Sequence, residues 1–144
     1  MTTVLIGLIS VVVGRVLLSS YTTFLTAQNT TDIDWQGFLA IERITNDIHT
    51  IRAASTLTTM GASQMTMVNT SGTTVQYALS GATLTRNGQT LADNVQNFAL
   101  SYLDRNGAIT AIASSVRYIS MSLTLTESNM SANFIGLAGL RTMP

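Results

Sequence analysis

The composition of this chain of 144 residues excludes several functions before any motif is considered. Charged residues make up 10% of the chain and its net charge is zero, so it lacks the basic surplus typical of nucleic-acid-binding proteins. Without Cys it can form neither disulfides nor thiolate metal sites. The length suits one domain with a modest core in addition to one long terminal helix.

The first segment of the chain is strongly apolar. Between Val4 and Leu18, eleven of fifteen residues are Val, Leu or Ile, and Arg15 carries the only charge. As an α-helix that rises about 1.5 Å per residue, residues 1–28 are long enough to cross a hydrocarbon core of about 30 Å. In lipid Arg15 costs about 2.5–3.5 kcal/mol unless it snorkels or meets a polar group on another copy. We therefore expect this segment to be a transmembrane helix or the core of a filament.

The remaining residues, 29–144, are expected to form a globular domain that begins with an amphipathic helix at about 32–55. Ile41, Ile44 and Ile48 recur at spacings of three and four, which places them on one helical face with Ile51. We expect this face to cover a sheet, with Phe38 beside it. The opposite face is expected to carry polar side chains: Arg43, Asn46, Asp47 and Thr50.

From about residue 63 to residue 141 the apolar period changes from helical to two, which predicts strands. The clearest strand is 116–126, where alternate residues are apolar. Asn87-Gly88 predicts a tight hairpin turn between two short strands. The expected fold class is α+β: a long N-terminal α-helix, apolar in its first half and amphipathic in its second, packed on an antiparallel β-sheet of about four to six strands. Further strands are expected at 64–68, 75–79, 82–86, 89–91 and 98–102. The segment 134–140 is expected to be either a last strand or an ordered tail.

In this order the segments resemble the type IV pilin-like proteins, most closely minor pilins and the J-type pseudopilins of type II secretion. The stretch WQGFLAIERITNDIHTIRAAS is similar to the end of their helix, and VQYALSGATLTRNGQTLADNVQNFALSYLDRNG is similar to their sheet. The resemblance implies a leader cut by a prepilin peptidase and N-methylation of Met1. It also implies insertion in the inner membrane and then assembly, with other copies or other pilins, into an extracellular helical filament on the cell surface. Most members have a Glu near the start of the apolar helix, and Thr2–Leu5 offer no carboxylate.

In such a filament the apolar helices of many copies would pack together. Gly7 and Gly14, seven residues apart, would permit close approach of neighbouring helices. We expect Arg15 to face a polar spot between those helices. The other residues expected in the filament core are Val4, Ile6, Leu8, Val11 and Val12.

No combination of residues suggests an enzyme, a cofactor site or a metal site. His49 is the single His, and neither a Gly-x-Ser-x-Gly elbow nor a Gly-rich phosphate loop occurs. The stretch 104–107 resembles the opening of a calcium loop, but residues 108–115 contain no Glu, so we expect a hairpin turn. Trp35 is expected in the core or in a subunit interface. The predicted function is a filament subunit, and the alternative is a membrane-tethered extracytoplasmic binding module.

Overall fold

A computed structural model of the chain describes the backbone of residues 2–141 and the side chains of residues 12–25, 27–28 and 31–141. Helix α1 spans Thr2–His49, and single 3₁₀ turns lie at Ala54–Thr56 and Ala113–Ser115. The chain divides into two compact units, Met1–Asp32 and Ile33–Pro144. The strands, all in the second unit, are β1 (Leu57–Met60), β2 (Gln64–Val68), β3 (Thr74–Ser80), β4 (Thr83–Arg86), β5 (Gln89–Ala92), β6 (Val95–Leu103), β7 (Tyr118–Glu127) and β8 (Met130–Gly139).

The expected fold class, a long N-terminal helix packed on one antiparallel sheet, is wrong. The described strands form two antiparallel sheets, one ordered β1-β2-β3-β4-β5 and the other β6-β7-β8. The residues of α1 up to Asp32 belong to a compact unit of their own, and the unit that contains the strands includes only the part of the helix from Ile33 onward. The error has a physical reason. Period-two alternation shows which side chains share a face, but it does not show which strands pair.

Local turn chemistry determines two of the junctions between strands. The predicted hairpin at Asn87-Gly88 is confirmed, because β4 pairs with β5 and both turn residues have positive φ, 51° and 79°. Asn94, with φ 57°, lies between β5 and β6, where the chain passes from the first sheet to the second. Asn adopts this left-handed conformation more readily than most residues do.

The core of the second unit forms between the residues of α1 from Ile33 onward and the inner faces of the strands. Ile44 and Ile48 are fully buried, as predicted, while Ile41 is half-buried and Ala40 is buried in its place. The predicted inner face of β7 is confirmed, with relative exposures of 0–1% at its four apolar positions: Ile119, Met121, Leu123 and Leu125.

Two glycines bring α1 close to β8. A Cβ added at Gly37 would lie 2.1 Å from Cε2 of Phe134, and one added at Gly136 would lie 2.9 Å from Cγ2 of Ile41. No side chain larger than hydrogen fits at either point without movement of its neighbour. The helix therefore approaches the three-stranded sheet closely because both surfaces have a glycine at the contact.

Candidate functional site

Between residues 12 and 25, α1 exposes a broad apolar surface. Eight large apolar side chains are 40% to 68% exposed, and the extremes are Leu25 and Leu18. Exposed apolar surface costs roughly 25 cal/mol per Å² relative to buried surface. Contiguous apolar patches of this kind mark sites of association with proteins or membranes. The eight residues, called the apolar helix surface below, are Val12, Val13, Val16, Leu17, Leu18, Tyr21, Phe24 and Leu25.

A polar stripe runs along the same part of α1. Arg15, Ser19 and Thr22 are spaced by four and three residues, so they lie on one face of the helix. Thr22 Oγ1 donates to the carbonyl oxygens of Leu18 and Ser19, at 3.1 and 3.0 Å, and Thr23 Oγ1 donates to the carbonyl oxygen of Ser19 at 2.8 Å. A hydroxyl bonded to its own helix has a partner without water. Both threonines can therefore be tolerated in apolar surroundings.

Three of the residues predicted for a filament core have described surroundings. Val12 and Arg15 are exposed, and Gly14 is half-buried with open space where a Cβ would point. Met1 lies outside the described residues, and so do the side chains at the other predicted positions: Val4, Ile6, Gly7, Leu8 and Val11.

The outer face of α1 in the second unit is also partly apolar. Trp35, Phe38 and Leu39 are 61%, 58% and 41% exposed, so Phe38 does not join the buried stripe beside which it was expected. Trp35 therefore does not lie in the core, the first of its two predicted locations, and the second, a subunit interface, stays a prediction. Leu39 borders a shallow groove of about 330 Å³ whose other lining residues are Arg43, Arg86, Gln89, Thr90 and Leu91.

A charged cluster near the end of α1 was missed in the sequence, since Asp47 was expected on the solvated face. Its side chain is only 13% exposed. Tyr77 Oη of β3 and Arg86 Nε of β4 both donate to Asp47 Oδ2, at 2.5 and 2.6 Å. Arg43 Nε lies 3.9 Å from Asp47 Oδ1. This carboxylate therefore joins the helix to two strands of the five-stranded sheet.

The electrostatics of this cluster follow from its burial and its pairing. Burial raises the pKa of the Tyr77 hydroxyl, and its hydrogen bond to Asp47 raises that pKa further. The hydrogen bond to Asp47 also raises the pKa of Arg86. Both shifts favour Tyr77 as a neutral donor and Arg86 as a cation at neutral pH. The arrangement suits a structural clamp, because one carboxylate of the helix holds side chains from two strands.

The predicted turn at 104–107 is confirmed. Asp104 Oδ1 accepts the backbone N–H groups of Asn106 and Ala108, at 2.8 and 3.0 Å, and Gly107 has a φ of 79°. That oxygen is therefore occupied by the amides of its own turn. Within the described part of the chain, no group of three or more His, Cys, Asp or Glu is arranged to hold a metal ion. His49 is exposed at the end of α1.

Comparison with known proteins assigns this chain to no family. No protein-family model matches it, and no curated protein shows significant similarity to its sequence. A search of the described residues for membrane spans finds no helix with the necessary length and apolarity.

Proposed function

We propose that the chain is a structural subunit of an extracellular type IV pilus-like filament and that it assembles through the apolar helix surface. The observation that carries this proposal is the 40% to 68% exposure of eight apolar side chains within one stretch of α1. A surface of this kind is stable when it is covered, and equivalent helices of other copies can cover it all round. The partners are then further copies of the chain or related pilins.

In this proposal the subunit resides in the inner membrane, after processing by a prepilin peptidase, before it joins the filament at the cell surface. Each helix exchanges lipid for neighbouring helices, so its apolar side chains are never left in water. The open space at Gly14 suits the close approach of a neighbouring backbone. The hydroxyls of Thr22 and Thr23, bonded to their own helix, suit either surrounding.

The proposal is tested by the yield of filaments from cells that express Leu17→Ala, because Leu17 is 65% exposed in the middle of the apolar helix surface. Loss of a packed Leu side chain costs about 2–5 kcal/mol, so we expect filament mass to fall more than about tenfold. Ala is apolar enough for membrane insertion to continue. Ile109→Ala is the matched control, since Ile109 is 81% exposed and follows β6 in a loop. It should leave the yield unchanged.

Two outcomes would contradict the filament. One is an unchanged yield from Leu17→Ala. The other is that the unaltered chain occurs only as single copies in the membrane fraction, which would support the alternative of a membrane-tethered extracytoplasmic binding module. Pelleting, negative-stain electron microscopy and cross-linking in whole cells distinguish these states.

The same measurement tests the proposed role of Arg15 between neighbouring helices. A charge placed among apolar helices is tolerated only if it is hydrogen-bonded, and removal of the charge leaves its partner group without a hydrogen bond. We therefore expect Arg15→Leu to lower the filament yield and Arg15→Gln, which keeps a donor, to lower it less. An unchanged or increased yield from Arg15→Leu would reject a required polar contact.

A further inference from the structure

Strand β8 forms an open edge of the three-stranded sheet. It pairs only with β7 in the sheet order, and its ten residues contain no charged residue and no proline. Four of its side chains are exposed, and two of these are large and apolar: Ile135 at 74% and Leu137 at 63%. An open, uncharged and partly apolar edge is a template for pairing with another strand.

The register of the β7–β8 hairpin shows which backbone groups are available. Ser128 and Asn129, with φ values of 49° and 65°, form a two-residue turn closed by Glu127 opposite Met130. In such a hairpin the closing pair is hydrogen-bonded, and hydrogen-bonded pairs alternate from there. The even-numbered residues of β8 therefore bond to β7, and Leu140 N, which donates to Arg117 O at 2.8 Å, continues the pattern. The odd-numbered residues direct their N–H and C=O groups outward.

The other sheet edges in the described chain are shorter, irregular or covered. β1 and β5 have four residues each, and the register shifts where each pairs with its neighbour. The outer edge of β6 is occupied, because Leu100 N donates to Ala62 O at 2.6 Å and Val95 N donates to Ala82 O at 2.9 Å. Among the edge strands that the structure describes, β8 alone combines length, a regular register and an uncovered outer side.

We propose that β8 pairs in antiparallel fashion with β8 of a second copy, about a two-fold axis at Gly136. The two three-stranded sheets then form one sheet of six strands. This register places Ile135 of each copy opposite Leu137 of the other. The odd-numbered residues of both strands then meet as hydrogen-bonded pairs, and the exposed apolar side chains cover one another on the outer face.

The edge fits a second copy of itself for two reasons. A two-fold axis brings identical surfaces together, so alternating donors and acceptors on one β8 meet acceptors and donors on the other. The strand carries no charge, so two copies meet without like-charge repulsion, and the exposed polar residues beside the apolar pair are the neutral Ser131 and Asn133. The pairing uses no residue of α1, so it is independent of the filament proposal.

The test is disulfide trapping in the full chain, which has no native Cys. Ile135→Cys and Leu137→Cys chains carry different tags and are mixed under oxidising conditions. In the proposed register the two positions face each other at a Cα separation of about 5.5 Å, within disulfide range. Two chains of the same variant would place their Cys residues about 8 Å apart, beyond that range. We expect the mixture to give at least tenfold more covalent dimer than either variant alone.

The control for chance collision is Ile109→Cys mixed with Leu137→Cys, because Ile109, at 81%, is more exposed than Ile135 but lies outside β8. Equal dimer from this control, or no excess in the mixture of Ile135→Cys with Leu137→Cys, would overturn the proposal. A third arm repeats the trapping in a Leu17→Ala background. If trapping persists there while filaments are lost, the edge pairing stands apart from helix assembly. If trapping disappears with the filaments, β8 pairing is not an interface in its own right.

A charge substitution supplies a second measurement. Ile135→Lys places a charge on an edge strand, which opposes strand pairing. We expect it to convert the dimer to monomer in sedimentation velocity with detergent present, while Ile109→Lys leaves the distribution unchanged. An unaltered distribution for Ile135→Lys would also overturn the proposal.

Discussion

Asp47 accepts hydrogen bonds from two side chains that belong to different strands. Tyr77 and Arg86 both donate to Oδ2, which leaves the second oxygen for the weaker approach of Arg43 at 3.9 Å. Tyr77 is otherwise buried in the core, so its hydroxyl depends on this partner. One carboxylate thus accepts the hydrogen bonds of both donors where the end of α1 contacts the five-stranded sheet.

We expect Asp47→Ala to lower the free energy of unfolding by about 2–4 kcal/mol. The substitution leaves the Tyr77 hydroxyl buried without a partner and leaves Arg86, whose side chain is 24% exposed, without its counterion. Chemical denaturation measures the change. Arg43→Ala is the control and should cost less than about 1 kcal/mol, because the Arg43 side chain is 54% exposed. Equal losses from both variants would contradict the proposed clamp.

The two buried tyrosines predict a loss of stability in alkaline solution. Burial raises the pKa of Tyr77 and of Tyr102 above the ordinary value of about 10. Above that pH the unfolded chain releases these protons before the folded chain does, so the folded state binds more protons. The free energy of unfolding is therefore unaffected by these groups below about pH 10 and falls above it, by up to about 1.4 kcal/mol per pH unit for each tyrosine.

Denaturation curves between pH 8 and pH 11 measure this slope. Tyr102→Phe should reduce it, whereas Tyr118→Phe, at an exposed position, should not. A free energy of unfolding that does not change across this range would contradict the burial of these hydroxyls.

At the scale of elements, the contact between α1 and β8 depends on a glycine. Gly37 is buried, and the ring of Phe134 occupies the space into which its Cβ would project. Close-packed interiors tolerate little added volume, so the helix can approach the strand at this point only if the residue has no side chain.

We expect Gly37→Ala to destabilise the chain although Ala is the better helix former. The helical gain is about 1 kcal/mol, while overpacking against a Cβ contact of 2.1 Å costs about 1–3 kcal/mol. The net change in the free energy of unfolding should be a loss of up to about 2 kcal/mol, and adding Phe134→Leu should recover part of it. Gly14→Ala, with no atom within 4 Å of the added Cβ, should cause no loss. A stabilising Gly37→Ala would contradict the contact.

At the scale of the whole molecule, large apolar side chains are exposed in each of the two compact units, among the residues that the structure describes. The apolar helix surface is in the first compact unit, and the β8 edge is in the second. The apolar helix surface is broad and extends around much of α1 between residues 12 and 25, so it can contact many neighbouring copies. The β8 edge is one strand wide and self-complementary, which suits a single neighbour. The two proposals therefore describe contacts of different symmetry, and the experiments above separate them.

Several features could be predicted from the sequence because they depend on neighbouring residues alone. Asn87-Gly88 folds as the predicted hairpin, since its backbone preference is local. Alternation along β7 identified its buried face, and helical spacing identified Ile44 and Ile48 as core residues. The apolar character of residues 12–25 was equally evident from composition.

Only the tertiary structure decided how the strands divide into two sheets, because pairing depends on contacts between residues far apart in the chain. It also decided the place of Asp47, since a carboxylate beside a buried stripe becomes a core partner only when Tyr77 and Arg86 arrive from distant strands. The open edge of β8 likewise follows from which strand ends the sheet, a property that no local pattern contains. Short-range preferences determined the elements of this protein, and long-range packing determined its surfaces.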